Sequence, residues 1–151
     1  MSVDTASYRH VMGHFATGVC VITAPGPVGM TANAVCSVSL QPQLLLVCFA
    51  RDARTLPVVR ESGVFGVNVL ASHQRELARL FASKAPESQK FAGVAHVVDA
   101  DVPILDGALA WVSCKLTELV EAGDHEIAIG AVHSAGAGAG EPLVWFRGEY
   151  R

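Results

Sequence analysis

Charge is scarce in this chain: Asp, Glu, Lys and Arg make up 17% of its 151 residues, and the formal net charge is −3. Acidic and basic residues are interspersed, and no basic stretch with interleaved aromatics occurs, which argues against nucleic acid as a partner. Long hydrophobic runs are also missing. Hydrophobic residues reach 51% and mean hydropathy is +0.38, yet no segment attains the ~18 uninterrupted apolar residues that span a bilayer. The apolar segments are strand-length and broken by Gly, Pro or Ser, so no membrane role is expected. The surplus hydrophobicity instead predicts a buried subunit interface, as in obligate homodimers. The start Met1-Ser2-Val3-Asp4 has neither the charged nor the apolar region of a secretory signal, which gives the expectation of a cytoplasmic protein. No Cys-x-x-Cys pair exists. Cys20, Cys36, Cys48 and Cys114 lie far apart, three of them in apolar strand-like runs, and read as buried reduced thiols, not as a zinc site.

What remains is strand-rich. The length fits one domain over residues 1–151. Tyr8, Val11 and Phe15 stand at helical spacing within Ser7–Phe15, with Asp4 or Ser7 as cap. Val19 to Thr23 is a β-branched strand, Pro25-Gly26-Pro27 a turn, and Met30 to Leu40 one long or bulged strand followed by another at Leu44 to Phe49. Thr55 caps a helix stopped by Gly63, and Val64 to Leu70 is a strand. Ser72 caps a helix with Leu77, Leu80 and Phe81 on one face; residues 84–93 read as a mobile loop. Leu109 to Leu119, Ile127 to Val132 and Leu143 to Phe146 complete the strands. With no strand–helix–strand rhythm, the pattern predicts an antiparallel barrel with appended helices, mainly β. The stretch Gly136 to Gly140 leads into Glu141-Pro142 and a strand, not a helix, so it reads as a hairpin loop and not as a dinucleotide-binding loop.

The segment Gly29 to Pro42 is unusual for a buried strand pair because its side chains are small or hydroxyl-bearing: Thr31, Ala32, Asn33, Ala34, Cys36, Ser37 and Ser39. Two readings stand side by side. Little side chain permits close approach by a flat, polar-edged ligand, and it equally permits tight packing of a neighbouring element.

Several motifs, taken in order, resemble one family. They are Phe15-Ala16-Thr17-Gly18-Val19, Gly29-Met30-Thr31-Ala32-Asn33, Ser37-Val38-Ser39-Leu40-Gln41-Pro42, and Gly63 to Leu70. They continue with Leu77-Ala78-Arg79-Leu80-Phe81-Ala82, Gly123-Asp124-His125, and Pro142 to Tyr150. Together they resemble the flavin reductase-like proteins, the split-barrel FMN/FAD-binding components of two-component monooxygenases. The resemblance implies a six-stranded antiparallel split β-barrel, a homodimer, and flavin bound beside the dimer interface. It further implies an NAD(P)H-dependent flavin reductase that supplies reduced FMN or FAD to a partner monooxygenase. NADH is the preferred donor, with NADPH the other candidate.

The resemblance puts the isoalloxazine-binding segment on Thr31, Ala32 and Asn33 with Ser37, Val38 and Ser39. For Ser37 and Ser39 the plain alternative is an outward-facing strand serine. The flavin phosphate falls to Ala50, Arg51, Arg54 and Thr55, where charged N–H groups and a hydroxyl meet near a helix start. The family often has Ser or Lys there, so arginine is a variation, and a solvated charged turn is the other reading. Ser83 and Lys84 match the post-helix loop, with Phe81 assigned to core. His125 matches a histidine set against the nicotinamide. Hydride passes directly from nicotinamide to flavin N5, so His125 serves as a positioning group and not as a base; a structural histidine is the alternative. Asp124 forms the turn that aims it. Tyr150, with Trp145 and Phe146, either lines the ring site or packs at the dimer. A metal at His125, Glu126 and His133 is rejected, because adjacent strand residues point to opposite faces. Two other functions share these residues: a non-catalytic flavin-binding dimer, and an oxidase or reductase with tightly held flavin acting on its own substrate.

Overall fold

Sixteen helices and strands order residues 2–151, which the computed structural model describes. They are α1 (Thr5–Met12), β1 (Thr17–Gly18), β2 (Cys20–Ala24), β3 (Val28–Ala32), β4 (Val35–Leu40), β5 (Gln43–Ala50), α2 (Thr55–Ser62) and β6 (Val64–Val69). There follow α3 (Arg75–Ala82), α4 (Glu87–Phe91), β7 (His96–Asp99), β8 (Val102–Leu105), β9 (Ala110–Ala122), β10 (His125–Ala137), β11 (Val144–Phe146) and β12 (Glu149–Tyr150).

One antiparallel sheet has the order β3-β2-β6-β9-β10-β5-β4. Its two edges, β3 and β4, are separated in the chain only by Asn33 and Ala34. The sheet must therefore curl until its edges almost meet. No ladder joins β3 to β4 among the described residues, so the curl stays open. The expected architecture holds in its coarse form, mainly β with short helices, but the sheet has seven strands and no closed barrel. The single strand expected over Met30–Leu40 is two strands on opposite edges. The break is local: the Val35 N–H turns back to the Asn33 carbonyl at 3.0 Å, and the Cys48 N–H takes the Ala34 carbonyl at 3.0 Å.

β2 is buried at all five residues because the curl covers one face and the helices the other. Inside the curl, Ile22, Val47, Phe49, Phe65 and Ala128 pack with Leu56 and Val59 of α2. Gly130 makes room there: a Cβ would lie 2.6 Å from the Phe65 ring. Outside, Val21, Leu70, Ala78, Phe81, Phe91 and Leu143 form a second core. A polar pin crosses the apolar layers. Asn68 Nδ2 donates to the Val21 carbonyl at 3.2 Å and its Oδ1 accepts from the Leu105 N–H at 2.8 Å, while Thr23 Oγ1 donates to the Pro103 carbonyl at 2.7 Å. Each buried polar atom is thereby satisfied.

Several local expectations are corrected. Residues 84–93 are not a loop: they contain α4, whose Lys90 and Phe91 are buried. The β7–β8 hairpin was not foreseen. Gly136 and Ala137 extend β10, and Gly136 lies so close to Trp111 that a Cβ would sit 2.6 Å from its Nε1. Ser72 is not a cap. It opens a 3-10 turn, and Gln74 Oε1 accepts the Ala71 N–H at 2.9 Å. Thr55 is not a cap either, but the buried first residue of α2, with Arg54 before it. Gly63 does end that helix, at φ 70°. Helix α1 begins at its expected cap, Asp4, which accepts the Ser7 N–H at 3.0 Å, but none of its residues is buried. Cys20 and Cys114 are buried as expected, Cys48 is half-buried and Cys36 is exposed. Among the described residues no helix is long and apolar enough to cross a membrane.

Candidate active site

The connection from Thr31 to Asn33 runs between two cavities. The larger, about 890 Å³, is bounded by α1, the Phe15–Gly18 segment, β4, β5 and the C-terminal hairpin in which β11 pairs antiparallel with β12. Its walls are mostly apolar: Tyr8, Phe15, Val35, Leu46 and Trp145, with the thiols of Cys36 and Cys48. Asn33 enters it with its amide turned toward Thr17, Nδ2 donating to Oγ1 at 3.2 Å. The curl produces this cavity, because the strands that part at Asn33 leave a gap between edges.

The smaller cavity, about 550 Å³, lies between β3, the start of α2 and the α3–α4 connection. It brings together Thr31, Arg54, Thr55, Ser83 and Lys84, five residues singled out from sequence. Thr31 Oγ1 is spent on the Ala78 carbonyl at 2.6 Å, which fastens β3 to α3. Ser83 Oγ donates to the Leu80 carbonyl at 2.6 Å and shapes the turn after α3. Arg54 Nη2 donates to the Ala85 carbonyl at 2.7 Å and stands 3.4 Å from Glu87 Oε1. Lys84 is exposed and has no ion-pair partner among the described residues. Beneath them Lys90 is buried, with its ammonium 3.6 Å from Glu87 Oε1. Burial pushes its pKa down, and Glu87 opposes that shift.

His125 opens β10 opposite Ala50 of β5 and Ala122 of β9. Its Nδ1 lies 2.7 Å from Asp124 Oδ1, and that bond holds the Asp124 carboxyl below the usual range. The Arg51 N–H donates to the Asp124 carbonyl at 3.1 Å, while its guanidinium turns to Glu121 at 3.7 Å. Arg51 and Arg54 thus do not form one fork. Ala50, Arg51 and His125 gather at the strand ends and line neither cavity. Ser37, Val38 and Ser39 occupy the edge strand β4, where a register shift leaves Val38 out of the pairing. Ala32 closes the β3 ladder opposite Cys20. Tyr150 packs edge-on against Trp145, ring centroids 4.8 Å apart, behind the cavity wall; its burial raises the phenol pKa.

Sequence reasoning missed Glu87 and Lys90, which organise the smaller cavity, and Arg9, which lines the larger one. Glu87 and Lys90 did leave a trace in their i,i+3 spacing before Phe91.

The cavities suit the parts of a flavin nucleotide. The larger is wide and apolar enough for a tricyclic ring, with Asn33 and Ala34 at its edge. The smaller holds three cations, Arg54, Lys84 and Lys90, against Asp52 and Glu87, a positive balance that suits a phosphate.

Several proteins of known activity are similar to this chain. The chain is 38% identical over 151 residues to the reductase component of 4-nitrophenol 4-monooxygenase/4-nitrocatechol 2-monooxygenase from Rhodococcus opacus, covering 98% of this chain and 80% of the relative. It is 38% identical to an FMN reductase (NADH) of Agrobacterium fabrum, covering 95% of this chain and 86% of that one. Its fold superposes with a TM-score of 0.93 and 37% identity on the NADH:FAD oxidoreductase of Streptomyces globisporus solved with NAD and FAD fragments, covering 98% and 92% of the two chains. The profile of the flavin reductase like domain matches residues 12–151, and the chain belongs to that family.

Proposed function

We propose that this chain is an NADH-dependent flavin reductase that supplies reduced FMN or FAD to a partner monooxygenase. The observation that carries the reading is the pair of cavities on either side of Thr31–Asn33, one apolar and ring-sized, the other lined by Arg54, Lys84 and Lys90 against Asp52 and Glu87. When bound, flavin supplies the chemistry: its N5 accepts hydride from nicotinamide. The protein's own part is to bind, orient and exclude water.

In this reading Thr31, Ala32 and Asn33 edge the ring through their backbone, with Ser37, Val38 and Ser39 along the neighbouring strand. Arg54, Lys84, Ser83 and Thr55 hold the phosphate, while Ala50 and Arg51, outside that cavity, shape the turn that brings Arg54 to it. His125 positions the nicotinamide, and Tyr150 supports Trp145 in the wall. The donor is NADH, with NADPH a weaker substitute, and the flavin exchanges with solution.

We further propose a single flavin reductase-like domain over 1–151, folded as a split barrel and assembled as a homodimer in the cytoplasm. Support for the dimer comes from apolar side chains left outside: Tyr8, Val11 and Met12 on α1, Phe15, and Val38 and Leu40 on the edge strand β4. A second copy over this face would also cover the larger cavity. Four free cysteines fit a reducing compartment.

The test is oxidation of NADH followed by its near-ultraviolet absorbance, with FMN and FAD in turn. Loss of absorbance with free flavin leaving the protein on gel filtration is expected. Flavin binding without NADH oxidation would identify a carrier, and flavin retained through filtration an enzyme acting on its own substrate.

A further inference from the structure

A third cavity, about 530 Å³, opens where α1 meets the C-terminal hairpin, and its charge is all of one sign. Arg9, His10, His14 and Arg147 line it, with Ala6, Gly13 and Gly148 and no carboxylate. It adjoins the larger cavity through Arg9, Gly13 and Gly148, which line both.

Among the described residues neither Arg9 nor Arg147 has an ion-pair partner, in a chain whose net charge is negative. The nearby Glu149 is engaged by Arg151 at 3.4 Å. Arg9 and His10 lie in the last turn of α1, where the helix dipole favours cations. That explanation does not reach Arg147, which belongs to the hairpin. Arg147 is held there at φ 52°, its N–H bonded to the Gly13 carbonyl at 2.8 Å. Its guanidinium and that of Arg151 both stand on the Phe146 ring, 5.8 and 5.1 Å from the centroid. His14 Nδ1 lies 2.8 Å from the His10 carbonyl, an acceptor only, so Nδ1 carries the hydrogen and Nε2 is the free nitrogen. Two separate elements thus bring unpaired guanidinium groups to one recess at the rim of the ring-sized cavity.

We propose that Arg9 and Arg147 form an anion subsite for the diphosphate of the nicotinamide dinucleotide, whose nicotinamide stacks on the flavin ring in the larger cavity. The proposal rests on the reading of that cavity as the flavin-ring site, against which the nicotinamide must lie for hydride transfer. Guanidinium pairs suit phosphate oxygens, and in NADH the diphosphate sits only a ribose away from the nicotinamide. NADH carries this group and reduced nicotinamide mononucleotide lacks it; FAD carries it too, but bonded to the riboflavin whose phosphate the smaller cavity takes.

The test is calorimetric titration of the flavin-free chain with ADP and adenosine, then with NAD and FAD against their mononucleotides. ADP is expected to bind and adenosine not. Arg147→Gln should weaken ADP by about tenfold, the loss of a charge-assisted contact, and Arg147→Lys should recover most of it. The same loss should appear in NAD and not in FAD, whose riboflavin phosphate belongs to the smaller cavity, and the mononucleotides should be unchanged. Equal binding of ADP and adenosine to the unaltered chain overturns the proposal, as does an Arg147→Gln chain with unaltered ADP affinity, or one that loses FAD or nicotinamide mononucleotide as much as NAD. Should Arg147→Gln melt early, Arg9→Gln reads the same ADP-to-adenosine difference. NADH oxidation failing while ADP binding persists would sink the reductase reading and not the anion subsite. Oxidation intact without ADP discrimination does the opposite.

Discussion

Lys90 Nζ donates to the carbonyl of Gly29 at 3.2 Å, while Glu87, one helical turn before it, accepts the N–H of the same glycine at 3.0 Å. Both backbone groups of one β3 residue are therefore held by a single short helix. The ammonium also reaches the Phe81 carbonyl at 3.2 Å, so strand β3, helix α3 and helix α4 meet at one buried charge. The Ser83–Pro86 connection with its Lys84 is suspended between these fixed points.

Lys90→Met should lower stability by about 3 kcal/mol, the lower end for orphaning one member of a buried pair, since Glu87 keeps Arg54. Thermal melting reads this. FMN affinity should also fall, because the connection bearing Ser83 and Lys84 loses an anchor, and Lys90→Arg should restore part of it. A chain that melts early yet binds FMN normally would reduce Lys90 to a structural role.

Gly29 has a second constraint. A Cβ there would stand 2.8 Å from Phe81 Cε1 and 3.3 Å from the Ile22 carbonyl. Gly29→Ala should cost about 1–3 kcal/mol as overpacking against a buried ring, and Phe81→Leu in the same chain should recover part of it. Equal melting temperatures for Gly29→Ala and the unaltered chain would show that the ring has room to shift.

The strands of the curled sheet were largely legible because Val19–Thr23, Leu44–Phe49 and Val64–Leu70 are apolar runs ended by turn residues, a local signal. The separation of β3 from β4 was not legible. Small side chains from Thr31 to Ser39 carry no periodicity that marks a crossover, and only the sheet's closure on itself demands the break at Asn33. Arg54, Thr55, Ser83 and Lys84 could be grouped by motif, and the fold does bring them to one cavity. Lys90 could not be identified as an anchor, because a lysine in a polar stretch reads as solvated until its neighbours in space are known. The same holds for Arg147, whose proximity to α1 depends on the hairpin returning to the Gly13 carbonyl.

The four thiols should differ in reactivity. Burial pushes Cys114 up to about 12 and Cys20 up to about 11, so both stay protonated at neutral pH. Cys36 is exposed and lines the larger cavity. Disulfide-exchange labelling followed by peptide mass mapping should find Cys36 modified first, with Cys20 and Cys114 reached only on unfolding. Flavin should slow the Cys36 reaction if the ring occupies that cavity. Labelling unaffected by saturating FMN and FAD would remove the ring from it.

Asp99 ties the β7–β8 hairpin to the main sheet. Its Oδ2 accepts from Ser134 Oγ and from Ser113 Oγ, the latter at 2.7 Å. These bonds, Ser134 first, hold its pKa below the ordinary carboxylate value. A lowered folded pKa means that the stabilisation is present above the unfolded value and lost as pH falls through the folded one. Denaturant midpoints should therefore show Asp99→Asn destabilised at neutral pH, with the gap from the unaltered chain closing in strong acid. A gap constant down to strong acid would show that the charge is not what matters.

His125 has its Nδ1 committed to Asp124 at 2.7 Å, which fixes the ring and leaves Nε2 as the group available to a ligand. Hydride transfer needs no proton removed by this ring, so its loss should act on positioning alone. His125→Ala is expected to raise KM for NADH by about tenfold, or about 1.4 kcal/mol of binding, with flavin affinity retained and the shape of the pH profile unchanged. Asp124→Asn should give a smaller rise, because the ring remains and only its orientation loosens. Rapid mixing of NADH with flavin-loaded protein separates binding from the hydride step. A large fall in that step at saturating NADH would mean that His125 acts on the reaction itself, and unaltered binding and rates would dismiss it from the site.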